Sequence, residues 1–155
     1  MSEIIHQIGV KVAPKALYAA ITKEEGLVNW WTRNTEAETR LGGIIKFRFG
    51  DLGTDVKIIE LIPDQRVCWE VVDGMPEWIG TKISFDFKPE KEQTVLVFKH
   101  SNWKKSTDLL AFCNTKWATY LLSLKHYLET GEGHPHPDDI VISNEHCGKS
   151  EVLAN

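Results

Sequence analysis

The pattern over residues 105–130 constrains the fold more than any other part of this sequence. Apolar and aromatic side chains recur there every three or four positions, as they do along one face of an α-helix. The members of this face are Leu110, Cys113, Trp117, Tyr120, Leu121, Leu124, Tyr127 and Leu128. We predict a long amphipathic helix, which has to bury this face against another element. Because the face is rich in large rings, the helix could cover a cavity as well as close a core.

The residues before this helix alternate between apolar and polar side chains, which is the pattern of β-strands. A first strand is predicted over 4–12, and Pro14 then suits the first turn of a short helix that continues to Thr22. A second short helical segment is predicted over 24–31. Further strands are predicted over 35–40, 44–49, 55–62, 67–72, 78–88 and 93–101.

Strands joined by short turns, such as the one at Gly42-Gly43, are expected to pair with their neighbours in antiparallel fashion. The sequence therefore predicts an α+β fold. A curved antiparallel sheet of six to seven strands wraps around the long C-terminal helix, and two short helices follow the first strand. We expect one domain over residues 3–132 and a C-terminal tail over 133–155.

Charge and composition limit the classes of molecule that this 155-residue chain is expected to bind. Its net charge is −4 and it has no basic block, so nucleic acid is not an expected partner. No run approaches the roughly 20 apolar residues of a membrane-spanning helix, and no secretion signal opens the sequence, so membrane insertion is not expected. The three cysteines have no close spacing, which is typical of reduced thiols in a cytoplasmic protein.

Several short motifs occur in an order that is known from other proteins. They are Ala13-Pro14 to Ile21-Thr22, Leu27 with Trp30-Trp31-Thr32, Gly42-Gly43, Ile59 to Pro63, Arg66 to Trp69, Phe98 to Ser101, Lys116-Trp117, and Leu128 to Gly131. In order and spacing they resemble the helix-grip fold of the START or SRPBCC superfamily. Within it, the chain is most similar to the branch named for homologues of the activator of heat-shock protein 90 ATPase. The resemblance covers nearly all of residues 3–131.

This resemblance implies an apolar cavity between the sheet and the C-terminal helix. Cavities for small molecules are mostly apolar, with a few polar groups in fixed places. The side chains expected to line it are Trp30, Trp31, Phe47, Trp69, Phe85, Phe87, Phe98, His100, Trp117, Tyr120, Leu121 and Leu124. The alternative for each ring is a place in a densely packed core.

Two histidines stand in otherwise apolar strand faces. His6 alternates with Ile4 and Ile8, and His100 follows Leu96 and Phe98. The helix-grip arrangement places the first and last strands side by side, which would bring His6 near His100. Imidazoles can bind a ligand or move protons near neutral pH. The alternative is a pair of histidines at strand ends that face water.

The remaining candidates for chemistry are weaker. A metal site is suggested only faintly by His134, His136, Asp138 and Asp139, with His146 and Cys147 further on. Their spacing matches no standard zinc pattern, and a polar tail is the better interpretation. Cys113 is best read as a small apolar filler. No role is assigned to Glu60, because the strand around it is apolar on both faces. No nucleotide-binding loop and no serine-nucleophile motif is found, so no catalytic residue, metal or cofactor is predicted.

The sequence leaves three functions open. The first is binding of a small hydrophobic or amphipathic ligand in the cavity, without catalysis. The second is an enzyme of the cyclase or dehydratase type, which would use polar groups such as His6, His100, Tyr120 and Glu60 in an apolar pocket. The third is an interaction module that contacts a chaperone such as heat-shock protein 90, for which the sequence offers no clear docking patch.

Overall fold

The computed structural model describes residues 1–143 and contains seven strands and three helices. The strands are β1 (Ser2–Val10), β2 (Asn34–Ala37), β3 (Ile44–Phe49), β4 (Leu52–Ile62), β5 (Arg66–Asp73), β6 (Lys82–Glu90) and β7 (Gln93–Trp103). The helices are α1 (Pro14–Thr22), α2 (Glu24–Trp30) and α3 (Asp108–Thr130). The order of elements agrees with the sequence prediction.

All strands join one antiparallel sheet in the order β1-β7-β6-β5-β4-β3-β2. Strands β2 to β7 are consecutive hairpins, and β1 returns to pair with β7 at the far edge. The helices α1 and α2 cross from the β1 edge to the β2 edge, and both contact α3. The result is the predicted helix-grip architecture, in which a curved sheet holds the C-terminal helix.

Local sequence explains where the helices begin and end. Pro14 occupies the start of α1 after the extended Ala13, a position where the missing backbone N–H costs nothing. Glu24 and Glu25 place negative charge in the first turn of α2, which favours the positive end of the helix dipole. Gly131 ends α3 in a left-handed conformation (φ 92°), which glycine adopts without steric cost.

Helix α3 begins at Asp108, three positions later than predicted, because residues 104–107 form a connection after β7 and Thr107, which caps the helix, is still extended. β7 extends to Trp103, whose ring is buried at the end of the strand. The buried face of α3 matches the predicted stripe at Cys113, Trp117, Tyr120, Leu121 and Leu124. Leu110, Tyr127 and Leu128 lie at its half-buried margin.

Strand β4 owes its two apolar faces to an irregularity. Ile58 pairs with Trp69, but Glu60 pairs with Cys68, so an extra residue of β4 interrupts the regular pairing between them. Val56 and Ile58 are buried before this point. Beyond it Glu60 forms an ion pair with Arg66. The bulge reverses the alternation, which explains why strand parity could not be read from the sequence.

The core lies between the inner face of the sheet and the three helices. Its largest fully buried side chains include Trp30, Trp31, Trp69, Trp103, Phe47, Phe85 and Phe98. Trp31 is central among these rings, with centroid distances of 4.0 Å to Phe47 and 4.9 Å to Trp117. Such tilted contacts add to the stability gained by burying the rings.

Candidate functional site

A pocket of about 350 Å³ opens between α3 and two loops at one end of the sheet. The loops are the β3–β4 turn and the segment that joins β5 to β6. The lining is mostly aromatic or apolar, and exposed Leu52 and Pro76 mark the mouth. The full lining is Trp31, Phe49, Asp51, Leu52, Gly53, Thr54, Gly74, Met75, Pro76, Trp78, Phe112, Cys113, Lys116, Trp117 and Tyr120.

Three of the side chains expected to line a cavity do line this one, namely Trp31, Trp117 and Tyr120. The others lie outside its lining, in the packed interior. They are Trp30, Phe47, Trp69, Phe85, Phe87, Phe98, His100, Leu121 and Leu124, all buried. The physical reason is mutual packing, since Trp69 contacts the Phe85 ring at 4.9 Å and Phe98 contacts Trp117 at 4.5 Å. The pocket therefore lies away from the middle of the sheet, at the end that carries the β3–β4 turn and the β5–β6 segment.

The loop that contains Trp78 supplies wall residues that sequence reasoning missed. The sequence predicts a strand over 78–88, but β6 begins only at Lys82. Residues 75–81 instead form tight turns, with the Trp78 N–H bonded to the Met75 carbonyl at 2.9 Å and Gly80 at a φ of 91°. This turn buries the Trp78 ring and leaves Ile79 45% exposed. The glycine at position 80 was the available signal.

His100 lies behind the pocket and is completely buried. Its Nδ1 accepts a hydrogen bond from the Trp117 indole N–H at 3.1 Å. Its Nε2 lies 2.8 Å from the Thr81 hydroxyl, which itself donates to the Trp78 carbonyl. The imidazole is thus neutral with its proton on Nε2. The ring does not face water, so that alternative is wrong, and burial lowers the pKa of His100 to about 3.

His6 shares a sheet face with His100 but has other partners. In the β1–β7 pairing His6 lies opposite Phe98, and His100 lies opposite Ile4. The His6 ring makes a hydrogen bond at 3.0 Å to the backbone carbonyl of Asn114 on α3. The predicted adjacency of β1 and β7 is therefore confirmed, but the two imidazoles serve different contacts and neither lines the pocket.

The polar end of the pocket is formed by two side chains of α3, which bind a carboxylate that follows the helix in sequence and lies outside the lining. Lys116 Nζ lies 2.5 Å from the Asp139 carboxylate, and the Tyr120 hydroxyl donates to the same carboxylate at 2.9 Å. Both members of the ion pair are well shielded, with side chains 15% and 12% exposed. Burial by itself raises the pKa of Asp139, but the bonds from Lys116 and Tyr120 outweigh it and hold that pKa below its ordinary value.

The chain from His134 to Ile140 lies against the body of the protein. The His136 backbone bonds to both Trp31 and Arg33, and its ring contacts Phe49 at 5.4 Å. Arg33 also forms an ion pair with Asp138. The segment therefore runs beside the pocket, from the end of α2 to Lys116. We call residues 134–140 the strap.

Two other candidates fit structural roles. Burial raises the pKa of the Cys113 thiol to about 12, which suits a small apolar wall residue rather than a nucleophile. Glu60 forms a surface network with Arg66 and Asp86 and lies outside the pocket lining.

Metal ligation finds little support within the described chain. No group of three His, Cys, Asp or Glu side chains within residues 1–143 is placed to hold a metal ion. His146 and Cys147, which the sequence raised as weak metal candidates, lie outside the described residues. Within the same range no helix is long and apolar enough to cross a membrane.

The arrangement can enclose an apolar molecule and meet its polar part with Lys116 and Tyr120, while Asp51, the acidic residue of the lining, is exposed to solvent. Pockets that bind small molecules commonly measure about 300–1,000 Å³ and have mainly apolar walls. Here the rings of Trp31, Trp78 and Trp117 supply the walls, and Lys116 supplies a partly shielded cation.

Comparison with known proteins identifies relatives of this arrangement. A family model for activator of Hsp90 ATPase homolog 1-like proteins matches residues 11–129. The solution structure of the Aha1 dimer from Colwellia psychrerythraea is 47% identical, with a TM-score of 0.81, and the match covers 86% of this chain and 100% of that one. No curated protein matches the sequence.

More distant structures share the fold alone. DynU16, a putative protein in the dynemicin biosynthetic locus, is 19% identical with a TM-score of 0.71, and the match covers 86% of this chain and 49% of that one. SSP2350 from Staphylococcus saprophyticus is 20% identical with a TM-score of 0.70, covering 85% of this chain and 95% of that one. From the family match and the 47% identity, the chain belongs to the family of activator of Hsp90 ATPase homolog 1-like proteins.

Proposed function

We propose that the pocket beneath α3 binds a small hydrophobic or amphipathic molecule and that the protein acts as a binding module. The observation that carries this proposal is the pocket itself. It has a volume of about 350 Å³ and is walled by rings, although the rest of the aromatic interior packs tightly. A ligand that displaced water from these walls would gain the free energy of burying aromatic surface.

An enzyme of the cyclase or dehydratase type is the second hypothesis. The polar residues suggested for it are dispersed, because His6, His100 and Glu60 lie outside the pocket lining. Tyr120 remains at the pocket, with its hydroxyl bonded to Asp139. Binding is therefore the function that the geometry supports better. Contact with a chaperone stays a prediction.

The experiment uses a neutral naphthalene dye, N-phenyl-1-naphthylamine, whose fluorescence rises in apolar surroundings. The full chain is titrated with the dye, together with two variants that enlarge a buried cysteine. Cys113→Leu adds volume to the pocket wall, whereas Cys68→Leu adds similar volume to a buried position outside the pocket. Circular dichroism checks that both variants fold.

We expect the wild type and Cys68→Leu to bind the dye with similar affinity. Cys113→Leu should bind it at least about tenfold more weakly, since the added side chain takes the place of bound ligand. Two results would count against the proposal. One is a native protein that does not bind the dye, and the other is equal affinity of Cys113→Leu and Cys68→Leu for it.

A further inference from the structure

The Asp139 carboxylate occupies a site built by α3. One oxygen, Oδ2, receives the Lys116 ammonium at 2.5 Å and the Tyr120 hydroxyl at 2.9 Å. The other oxygen, Oδ1, lies 3.5 Å from His136 Nδ1 in the strap. A carboxylate held by an ammonium and a hydroxyl on one side is a charge-assisted arrangement, stronger than a bond between neutral groups.

The two donors on α3 also belong to the wall of the pocket. Lys116 and Tyr120 line it together with Trp117, whereas Asp139 does not line it. The anion that satisfies them therefore comes from the strap, outside the lining. An apolar pocket with an ammonium and a hydroxyl at one end has the chemistry to receive a molecule with an acidic head and an apolar body.

We propose that Lys116 and Tyr120 form an anion-binding subsite of the pocket, that Asp139 fills this subsite when the pocket is empty, and that the ligands are amphipathic acids whose anionic group displaces Asp139. This inference rests on the proposed function, because it names the class of molecule that the same pocket binds.

Pairing of charge explains why an acid is selected. The Lys116 ammonium is only 15% exposed, and a shielded cation without an anion is costly. An acidic ligand replaces one anion with another, so the pairing is kept and the apolar body supplies the gain in free energy. A neutral ligand has nothing to offer Lys116 and leaves Asp139 in place.

The rest of the strap can stay attached during this exchange. Arg33 holds Asp138 by an ion pair, and the His136 backbone holds Trp31 and Arg33. None of these contacts involves Lys116 or Tyr120. Release of Asp139 therefore requires a local movement near the end of the strap, where the Ile140 carbonyl also accepts a hydrogen bond from Lys116 Nζ at 2.6 Å.

Two dyes that differ by one acidic group test the inference. 8-Anilinonaphthalene-1-sulfonate carries a sulfonate, and N-phenyl-1-naphthylamine is the same ring system without it. Both are titrated into the full-length wild type, Asp139→Asn, Lys116→Met and the matched control Asp138→Asn. Asparagine keeps the shape of Asp139 and still accepts the Tyr120 hydroxyl, so the variant should remain folded. Nuclear magnetic resonance shifts of the Trp78 and Trp117 indole N–H groups show whether each dye enters the pocket.

Asp139→Asn should raise the affinity for the sulfonated dye by about tenfold and change that for the neutral dye by less than about twofold. Lys116→Met should remove any gain in affinity that the sulfonate gives over the neutral dye. Asp138→Asn should bind both dyes as the wild type does. The inference is overturned if the neutral dye binds in the pocket while Asp139→Asn leaves the affinity for the sulfonated dye unchanged or strengthens both dyes equally. If neither dye enters the pocket in the wild type or in any of the variants, the proposed function is overturned, and this inference with it.

Discussion

The indole N–H of Trp117 donates a hydrogen bond to His100 Nδ1 at 3.1 Å, and both side chains are buried. The bond joins the middle of α3 to the end of β7, next to the pocket wall. It also fixes the imidazole tautomer, because Nδ1 has to remain an acceptor. Protonation of Nδ1 would set two N–H groups against each other in a fully buried site.

The neutral state of His100 makes stability depend on pH. Burial lowers its pKa from 6.5 to about 3 in the folded protein. Below pH 6.5 the unfolded chain binds a proton that the native state refuses, so the free energy of unfolding falls as the pH is lowered toward 3. The contribution approaches about 1.4 kcal/mol per pH unit.

Urea unfolding between pH 7.5 and 4.5 measures this dependence. His100→Gln, which has no titrating group, should show a shallower fall over the same range, although its stability at pH 7.5 is lower. A His100 resonance that titrates near pH 6.5 in the native protein would contradict this assignment.

Trp117→Phe should destabilise the protein more than Trp103→Phe. Both changes remove similar volume from a buried ring, but only Trp117 loses a hydrogen bond, which leaves His100 Nδ1 buried without its donor. Within residues 1–143, Trp103 Nε1 has no hydrogen-bond partner to lose. We expect a difference of about 1–3 kcal/mol in the free energy of unfolding, measured with urea. Equal losses would show that the bond contributes nothing.

Gly26→Ala should destabilise the protein, although alanine normally favours a helix by about 0.5–1 kcal/mol over glycine. A Cβ at position 26 would lie 2.5 Å from the backbone of Ala20, so α2 would have to move away from α1. We expect a loss of about 1–3 kcal/mol by chemical denaturation. Glu25→Ala, at an exposed neighbour, should change stability by less than about 1 kcal/mol. A stabilised Gly26→Ala variant would refute the close packing of these helices.

The Cys113 thiol should react slowly in the folded protein. A pKa of about 12, compared with an ordinary value of 9.0, reduces the thiolate population at pH 8 by about a thousandfold. Iodoacetamide labelling in a Cys147→Ser background, followed by peptide mass spectrometry, should modify Cys113 at least a hundred times faster in urea than in buffer. Fast native labelling would contradict the burial of this wall.

The sequence could predict the fold because its signals are local and periodic. The stripe through Cys113, Trp117 and Tyr120 has helical spacing, and the alternation around His6 and His100 fixes which faces of β1 and β7 point inward. These patterns survive folding because each element has to bury one face.

The pocket could not be located in the same way. Its floor is set by how tightly Trp69, Phe85 and Phe98 pack, and hydrophobic pattern does not distinguish a wall from a filled core. Trp78 enters the wall through a turn that breaks strand alternation. Asp139 meets Lys116 only through a tertiary contact, because the two residues are far apart in the sequence.

The claim that this pocket is a binding site is tested most directly by locating a bound probe. Intermolecular nuclear Overhauser effects are measured between N-phenyl-1-naphthylamine and the full chain. We expect contacts from the dye to the rings of Trp78, Trp117 and Phe112, which line the pocket. A dye that gives no contacts with these rings, or that contacts only other surfaces of the native protein, would contradict the account.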